Sequence, residues 1–266
     1  MIVLDLDGTL VDSNKKISQR NKQALQKAIQ KGVKVVLASG RPVKGVLPMA
    51  KELELDKHNG CILAFNGGRI IDVTTEKCLF EVDLPEGYLQ KVYDLSRKCN
   101  IGLMTYEGND KLITVDDNKY IQLELRVNQL ERIVPKDIIK YVTFPVAKYL
   151  LAGEPKDVEK AEPLFKEMLG KELNVFRSDP FFLEVLPLGI DKAYGLKKLV
   201  EILGIKREEV IACGDGYNDI TMLQFAGLGV AMENAMEQTK AAADYITLSN
   251  DDDGVAEVIE KFILKQ

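Results

Sequence analysis

Three apolar residues, Ile2-Val3-Leu4, run without a break into Asp5-Leu6-Asp7-Gly8-Thr9-Leu10. The β-branched run reads as a buried strand. Any fold built on it must place two carboxylates at that strand's carboxyl end. In a chain that stayed extended, Asp5 and Asp7 would share one face; Gly8 predicts a sharp turn instead. The carboxyl edge of a buried strand is where open α/β sheets hold their ligands. Like charges about 4 Å apart repel by ~1 kcal/mol in water and by several times more at a low-dielectric site. The pair therefore calls for a cation or a shared proton. The alternative is a solvated Asp-x-Asp-Gly turn that holds nothing.

The segments that follow repeat one pattern. Ser18 is positioned to cap a helix whose stripe is Ala24, Leu25, Ala28 and Ile29, closed by Gly32. A second strand spans 33–38 and ends on Ser39-Gly40-Arg41-Pro42; a helix runs on to about Leu53, and a third strand covers 61–65. Strand, helix, strand, helix, strand at this spacing predicts a doubly wound, mainly parallel α/β sheet. Asn66-Gly67-Gly68 turns the chain into a hairpin of 69–73 and 77–83. From 84 to 187 the pattern changes to helices (85–99, 118–131, 155–169) mixed with short strands (101–106, 112–115, 147–152, 173–177, 181–186). This reads as an inserted α+β domain, so 1–83 and 188–266 form the core and 84–187 the insertion.

The first pattern then returns. A helix covers 191–203, with Leu196, Leu199, Val200 and Leu203 on one face. A buried strand, 210–213, ends on Gly214-Asp215-Gly216-Tyr217-Asn218-Asp219. Helix 219–226, strand 228–231, helix 235–243, strand 244–248 and a terminal helix from Asp253 complete the chain. Asp251-Asp252-Asp253 reads as the start of that helix, where negative charge is favourable. Gly227 and Gly229 read as close packing.

Composition narrows the function. A net charge of −5 over 266 residues disfavours a nucleic-acid partner. No run approaches the ~18 apolar residues of a membrane span, and no leader precedes the first strand, so a cytoplasmic protein is expected. Cys61, Cys78, Cys99 and Cys213 are widely spaced and read as reduced thiols. His58 is the single histidine and lies in a polar loop. Serine–histidine catalysis and a histidine-rich zinc site are therefore disfavoured.

Four core segments end in polar residues at the edge where a parallel sheet presents ligands. They carry Asp5 and Asp7; Ser39-Gly40; Lys192; and Asp215, Asn218 and Asp219. Each alone has a bland reading as a turn, a cap or a surface lysine. Together they offer carboxylate oxygens, a hydroxyl, amides and one ammonium, a set suited to Mg²⁺ and a phosphate. No G-x-x-x-x-G-K-[ST] and no G-x-G-x-x-G after a strand is present.

With these residues in view the chain resembles the haloacid dehalogenase-like superfamily, in particular its Cof-type phosphatases with a large inserted cap. Asp5-Leu-Asp-Gly-Thr resembles the family's first motif, Ser39 its second, Lys192 its third, and Gly-Asp-Gly-Tyr-Asn-Asp (214–219) its fourth. The residue after the lysine is Ala193, where the family usually has Gly.

The resemblance implies a Mg²⁺-dependent phosphatase acting on small phosphomonoesters such as sugar phosphates. Asp5 would be the nucleophile that forms an aspartyl-phosphate. Asp7 would protonate the leaving group and then deprotonate water. Asp5, the Asp7 carbonyl and Asp215 would hold the metal, with Asp219 beside it through water or as support. The amides of Leu6 and Gly40 with Ser39, Lys192 and Asn218 would bind the phosphoryl oxygens. Arg41 is left between pairing with a core carboxylate and positioning its loop. A phosphomutase or phosphotransferase would use the same intermediate. A signalling receiver also combines Mg²⁺, Asp, Ser/Thr and Lys, but it is about half this length, carries its acceptor mid-chain and has no cap. A binding protein without chemistry would be expected to have lost motif residues, and none is lost. The insertion is expected to act as a lid that selects the leaving group, against an independent domain with its own partner.

Overall fold

The computed structural model describes residues 1–265. Contacts divide the chain into two units. Met1–Gly40, Val46–Phe80 and Asp191 onward form the first; Arg41–Gly45 and Glu81–Ile190 form the second.

The chain begins with β1 (Ile2–Leu4), α1 (Gln19–Gln30), β2 (Val35–Ala38), α2 (Val43–Glu52), β3 (Cys61–Ala64), β4 (Arg69–Asp72) and β5 (Cys78–Glu81). β1, β2 and β3 are buried along their whole length, as strands covered on both faces of an α/β sheet must be. Ser18 caps α1 by accepting from the Asn21 amide, and Gly32 follows the helix at φ 81°.

The second unit contains α3 (Leu89–Lys98), β6 (Gly102–Glu107), β7 (Lys111–Ile113), α4 (Lys119–Asn128), β8 (Glu131–Ile133), α5 (Ile138–Tyr141), β9 (Tyr149–Ala152), α6 (Pro155–Leu169), β10 (Leu173–Asp179) and β11 (Phe182–Pro187). Its six strands are ordered β10-β11-β9-β6-β7-β8. Leu103, Tyr149, Leu151, Leu183 and Val185 of this sheet pack with Val92, Val158 and Phe165 of α3 and α6 in one apolar core. The sequence reading carried α4 through residue 131 and missed both β8 and α5. α4 stops because Gln129 adopts a left-handed conformation, φ 53°.

The first unit resumes with α7 (Lys192–Leu203), β12 (Ile211–Gly214), α8 (Ile220–Phe225), β13 (Leu228–Ala231), α9 (Glu237–Ala241), β14 (Tyr245–Ile246) and α10 (Gly254–Ile259). The eight strands are ordered β14-β13-β12-β1-β2-β3-β4-β5. β1 pairs in parallel with β12 on one side and β2 on the other, with Leu4 opposite both Cys213 and Leu37. That register brings the carboxyl ends of the three strands level. The acidic run at 251–253 is not the first turn of the last helix. Asn250–Asp252 form a separate tight turn, Asp253 sits at φ 62°, and Asp251 accepts from the amide and hydroxyl of Ser13. Gly227 and Gly229 do mark close packing: a Cβ on either would strike the backbone of Glu208 or Leu223. Among the described residues no helix is long and apolar enough to cross a membrane.

Candidate active site

The aligned strand ends put Asp5, Ser39 and Asp215 one residue beyond β1, β2 and β12. The Asp5 amide donates to the Cys213 carbonyl (3.0 Å), which fixes where β1 ends. The Leu6 carbonyl then accepts from the amides of Leu10 and Val11 (3.0 Å each), so the chain turns at once. Gly8, at φ 87°, completes the turn.

Carboxylate oxygens of Asp5, Asp215 and Asp219 lie within 4.8 Å of one another. Lys192, fully buried at the first position of α7, reaches them. Its ammonium donates to Asp5 Oδ1 and Asp219 Oδ1, both at 2.5 Å. Asp191 caps α7 by accepting from the Tyr194 amide at 2.7 Å, so the helix starts cleanly with alanine at 193. Burial alone would lower the pKa of Lys192, but Asp219 and Asp5 outweigh it and hold the pKa above its ordinary value. Burial, then the negative charge of Asp219, raises Asp5 well above the usual carboxylate range despite Lys192. The same two causes push Asp215 up to about 6.

Asp219 is fully engaged. While Oδ1 meets Lys192, Oδ2 accepts from the amides of Asp215 (3.0 Å) and Gly216 (2.9 Å). Both its oxygens therefore hold protein groups in place, which suits support of a metal site better than direct ligation. Three converging carboxylates against one ammonium leave excess negative charge in a buried place. Burial, and after it that excess charge, raise the Asp5 and Asp215 pKa values. All-oxygen donors with this charge fit a hard divalent cation such as Mg²⁺.

Asp7 is placed apart. Its carboxylate pairs with Lys15 at 2.8 Å on the solvent side, and it is not among the clustered carboxylates. Ser39 is 3% exposed; its amide donates to Leu63 and its carbonyl accepts from the Asn66 amide. Gly40 follows it beneath the Asn66 side chain, whose polar atoms would stand 3.2 Å from a Cβ. Asn218 lies on the exposed side of the tight turn after β12 and donates to Asn66 Oδ1 at 3.1 Å. Arg41 groups with the second unit, where its charge is felt by Glu124.

Sequence reasoning missed three residues here. Thr9, fully buried, donates its hydroxyl to Asp215 Oδ1 at 2.9 Å. Asn234 donates to the Gly8 carbonyl at 2.8 Å, and Asn66 touches two of the loops. A threonine directly after Asp-x-Asp-Gly was the visible signal for the first; Asn234 and Asn66 carried none beyond being turn residues.

Comparison with known proteins gives a consistent result. A family model for haloacid dehalogenase-like hydrolases matches residues 2–259. The 5-amino-6-(5-phospho-D-ribitylamino)uracil phosphatase YcsE of Bacillus subtilis is 35% identical over 267 residues, covering 99% of this chain and 96% of that one. The crystal structure of a haloacid dehalogenase-like hydrolase from Bacteroides thetaiotaomicron superposes with a TM-score of 0.93 at 45% identity, over 98% of each chain. A sugar phosphatase of subclass IIB of that superfamily superposes with a TM-score of 0.83 at 25% identity, over 98% of both chains.

Proposed function

The chain belongs to the haloacid dehalogenase-like hydrolases, and from that premise we propose that it hydrolyses small phosphomonoesters with Mg²⁺ through a phosphorylated Asp5. The observation that carries this reading is the environment of Asp5: 7% exposed at the end of β1, paired with buried Lys192 and in contact with Asp215.

In the first step a carboxylate oxygen of Asp5 attacks phosphorus. The bond from phosphorus to the ester oxygen breaks, its electron pair stays on that oxygen, and Asp7 supplies the proton. In the second step water attacks the same phosphorus while Asp7 takes its proton. The bond to Asp5 breaks, inorganic phosphate leaves and Asp5 is restored. Ser39, the amides of Leu6 and Gly40, Lys192 and Asn218 bind the phosphoryl oxygens, where charge is spread in the transition state. Asp5, Asp215 and the carbonyl of Asp7 would hold Mg²⁺, with Asp219 bracing them. Bound there, the cation neutralises converging negative charge and lets a phosphate dianion approach carboxylates.

Two relatives act, by name, on a ribityl phosphate and on sugar phosphates. They support a phosphorylated sugar or polyol as the substrate here. The insertion, which none of the proposed phosphate-binding or metal-binding residues enters, is the natural source of selectivity for the leaving group. Replacing 84–187 by a Gly/Ser linker should spare hydrolysis of an aryl phosphate and erase the ranking among sugar phosphates. An unchanged ranking in a folded core would reject that role.

The direct test is phosphate release across a panel of sugar, polyol and nucleoside phosphates, with Asp5→Asn and Asp7→Asn alongside. Asp5→Asn should fall to background. Asp7→Asn, which lacks both the acid of the first step and the base of the second, should turn over slowly. Near wild-type turnover by Asp5→Asn sinks the covalent route. Isomerised sugar phosphate in place of free phosphate would make the protein a mutase.

A further inference from the structure

Three consecutive residues after β3 have left-handed backbones: Phe65 at φ 52°, Asn66 at φ 54° and Gly67 at φ 89°. Glycine adopts this conformation freely and asparagine tolerates it; a bulky aromatic residue rarely does. Such a turn persists only where its surroundings hold it.

What surrounds it are three of the loops that carry phosphate-binding groups. The Asn66 amide donates to the Ser39 carbonyl at 3.0 Å. The Asn66 side chain, 4% exposed, lies across Gly40 and accepts from Asn218 Nδ2 at 3.1 Å. Gly67 abuts the start of α7: a Cβ there would stand 2.4 Å from the Asp191 carbonyl, and one on Gly195 would stand 2.6 Å from Gly67 Cα. One turn thus seats the Ser39-Gly40 loop, the Asn218 loop and the helix end that bears Lys192.

We propose that Asn66 is a positioning residue of the phosphate site, its carbonyl oxygen aiming the Asn218 amide and its backbone N–H fixing the Ser39 loop. The proposal rests on the phosphatase reading above. Among the described residues the hydrogen bonds of Asn66 go to Ser39 and Asn218 and not to the carboxylate cluster, so its effect is expected on phosphate and not on the metal. With its Oδ1 removed, the Asn218 amide is free to rotate, and the donor must be ordered each time an anion binds.

Asn66→Gly isolates the side chain, because glycine keeps φ 54° without strain. The backbone contact with Ser39 is retained, so the variant should fold. Calorimetric affinity for inorganic phosphate in saturating Mg²⁺ should weaken about tenfold, the value of one hydrogen bond to a charged group. Affinity for Mg²⁺ alone should be unchanged. Asn218→Ala should weaken phosphate similarly, and the double variant should be no weaker than the weaker single one. Asn66→Asp, near-isosteric and tolerant of left-handed backbone, is the second variant. It places a negative charge beside Gly40, so it too should lose phosphate affinity and keep Mg²⁺ affinity. Wild-type phosphate affinity in folded Asn66→Gly overturns the proposal. So do additive effects of Asn66→Gly and Asn218→Ala, or a parallel loss of Mg²⁺ binding. If the unaltered protein binds no phosphate in Mg²⁺, the phosphatase reading falls and this one falls with it. If it does bind and Asn66→Gly leaves binding intact, only the role of Asn66 falls.

Discussion

Asp215 leaves residue 8 no room for a side chain: a Cβ built on Gly8 would stand 2.4 Å from Asp215 Oδ2. The glycine of the first motif is therefore required twice, by its φ of 87° and by the carboxylate facing it. Gly8→Ala must either twist the turn or displace Asp215. It should lower Tm and weaken Mg²⁺ binding at least tenfold, the left-handed backbone alone costing ~1–2 kcal/mol. Calorimetric titration with Mg²⁺ checks this; unchanged affinity counts against Asp215 as a ligand.

Thr9 holds the same carboxylate from the other side. Thr9→Val keeps the shape and removes the donor. A hydrogen bond to a charged group contributes ~1.5–3 kcal/mol, so Mg²⁺-dependent turnover should fall roughly tenfold or more. Equal activity in both proteins would mean that Thr9 merely fills space.

Chelation tests the charge balance of the whole site. Excess EDTA should abolish phosphate release and added Mg²⁺ should restore it. Full turnover in EDTA would mean that Lys192 alone offsets the carboxylates.

The metal-free protein should also show this imbalance in its pH dependence. Burial and Asp219 raise Asp215 from an ordinary 3.8 to about 6, and Asp5 is raised as well. A carboxyl group whose folded pKa is raised binds more protons folded than unfolded. Its contribution to stability is fully present below about 4 and is lost as pH rises through about 6. In EDTA, the urea midpoint of the wild type should decline relative to that of Asp215→Asn between pH 4.5 and pH 7. A gap between the two that stays constant over that range contradicts the assignment.

In the second unit, Lys148 and Glu184 form an ion pair at 3.0 Å, with side chains only 3% and 5% exposed. Removing one partner strands the other, which costs ~3–5 kcal/mol. Lys148→Met should therefore lower denaturant stability strongly, and Lys148→Met with Glu184→Leu should recover most of it. If the double variant is no more stable than Lys148→Met, the two side chains are not energetically coupled.

Much of the first unit was legible because its signals are local. Runs such as Ile2-Val3-Leu4 and Val35-Val36-Leu37-Ala38 announce buried strands, and Ser18 and Asp191 cap the helices that follow them. Strand ends that carry Asp5, Ser39 and Asp215 follow from parallel order alone. What stayed hidden depends on residues distant in the chain. β8 is three residues long and is partnered by β7, so no periodicity marks it. Asp251 looked like a helix charge because its partner, Ser13, is 238 residues away. Lys15 could be any loop lysine until the turn at Gly8 brings Asp7 to it. Asn66 read as a simple turn residue, since its role lies in contacts with two loops, 26 and 152 positions away.

β1 takes one of its two partners from residues 211–213. Lys192, which neutralises Asp5, comes 187 positions later, and Asp219, which anchors Lys192, later still. Ribosomes add roughly 5–20 residues per second, so residue 219 trails residue 5 by on the order of ten seconds or more. Closing so long a loop is an entropic cost met before any contact rewards it. Until residues 211–213 are made, β1 can pair with β2 alone, leaving its other edge open. Until residues 192–219 are made, Asp5 has neither the ammonium of Lys192 nor the carboxylates of Asp215 and Asp219 beside it.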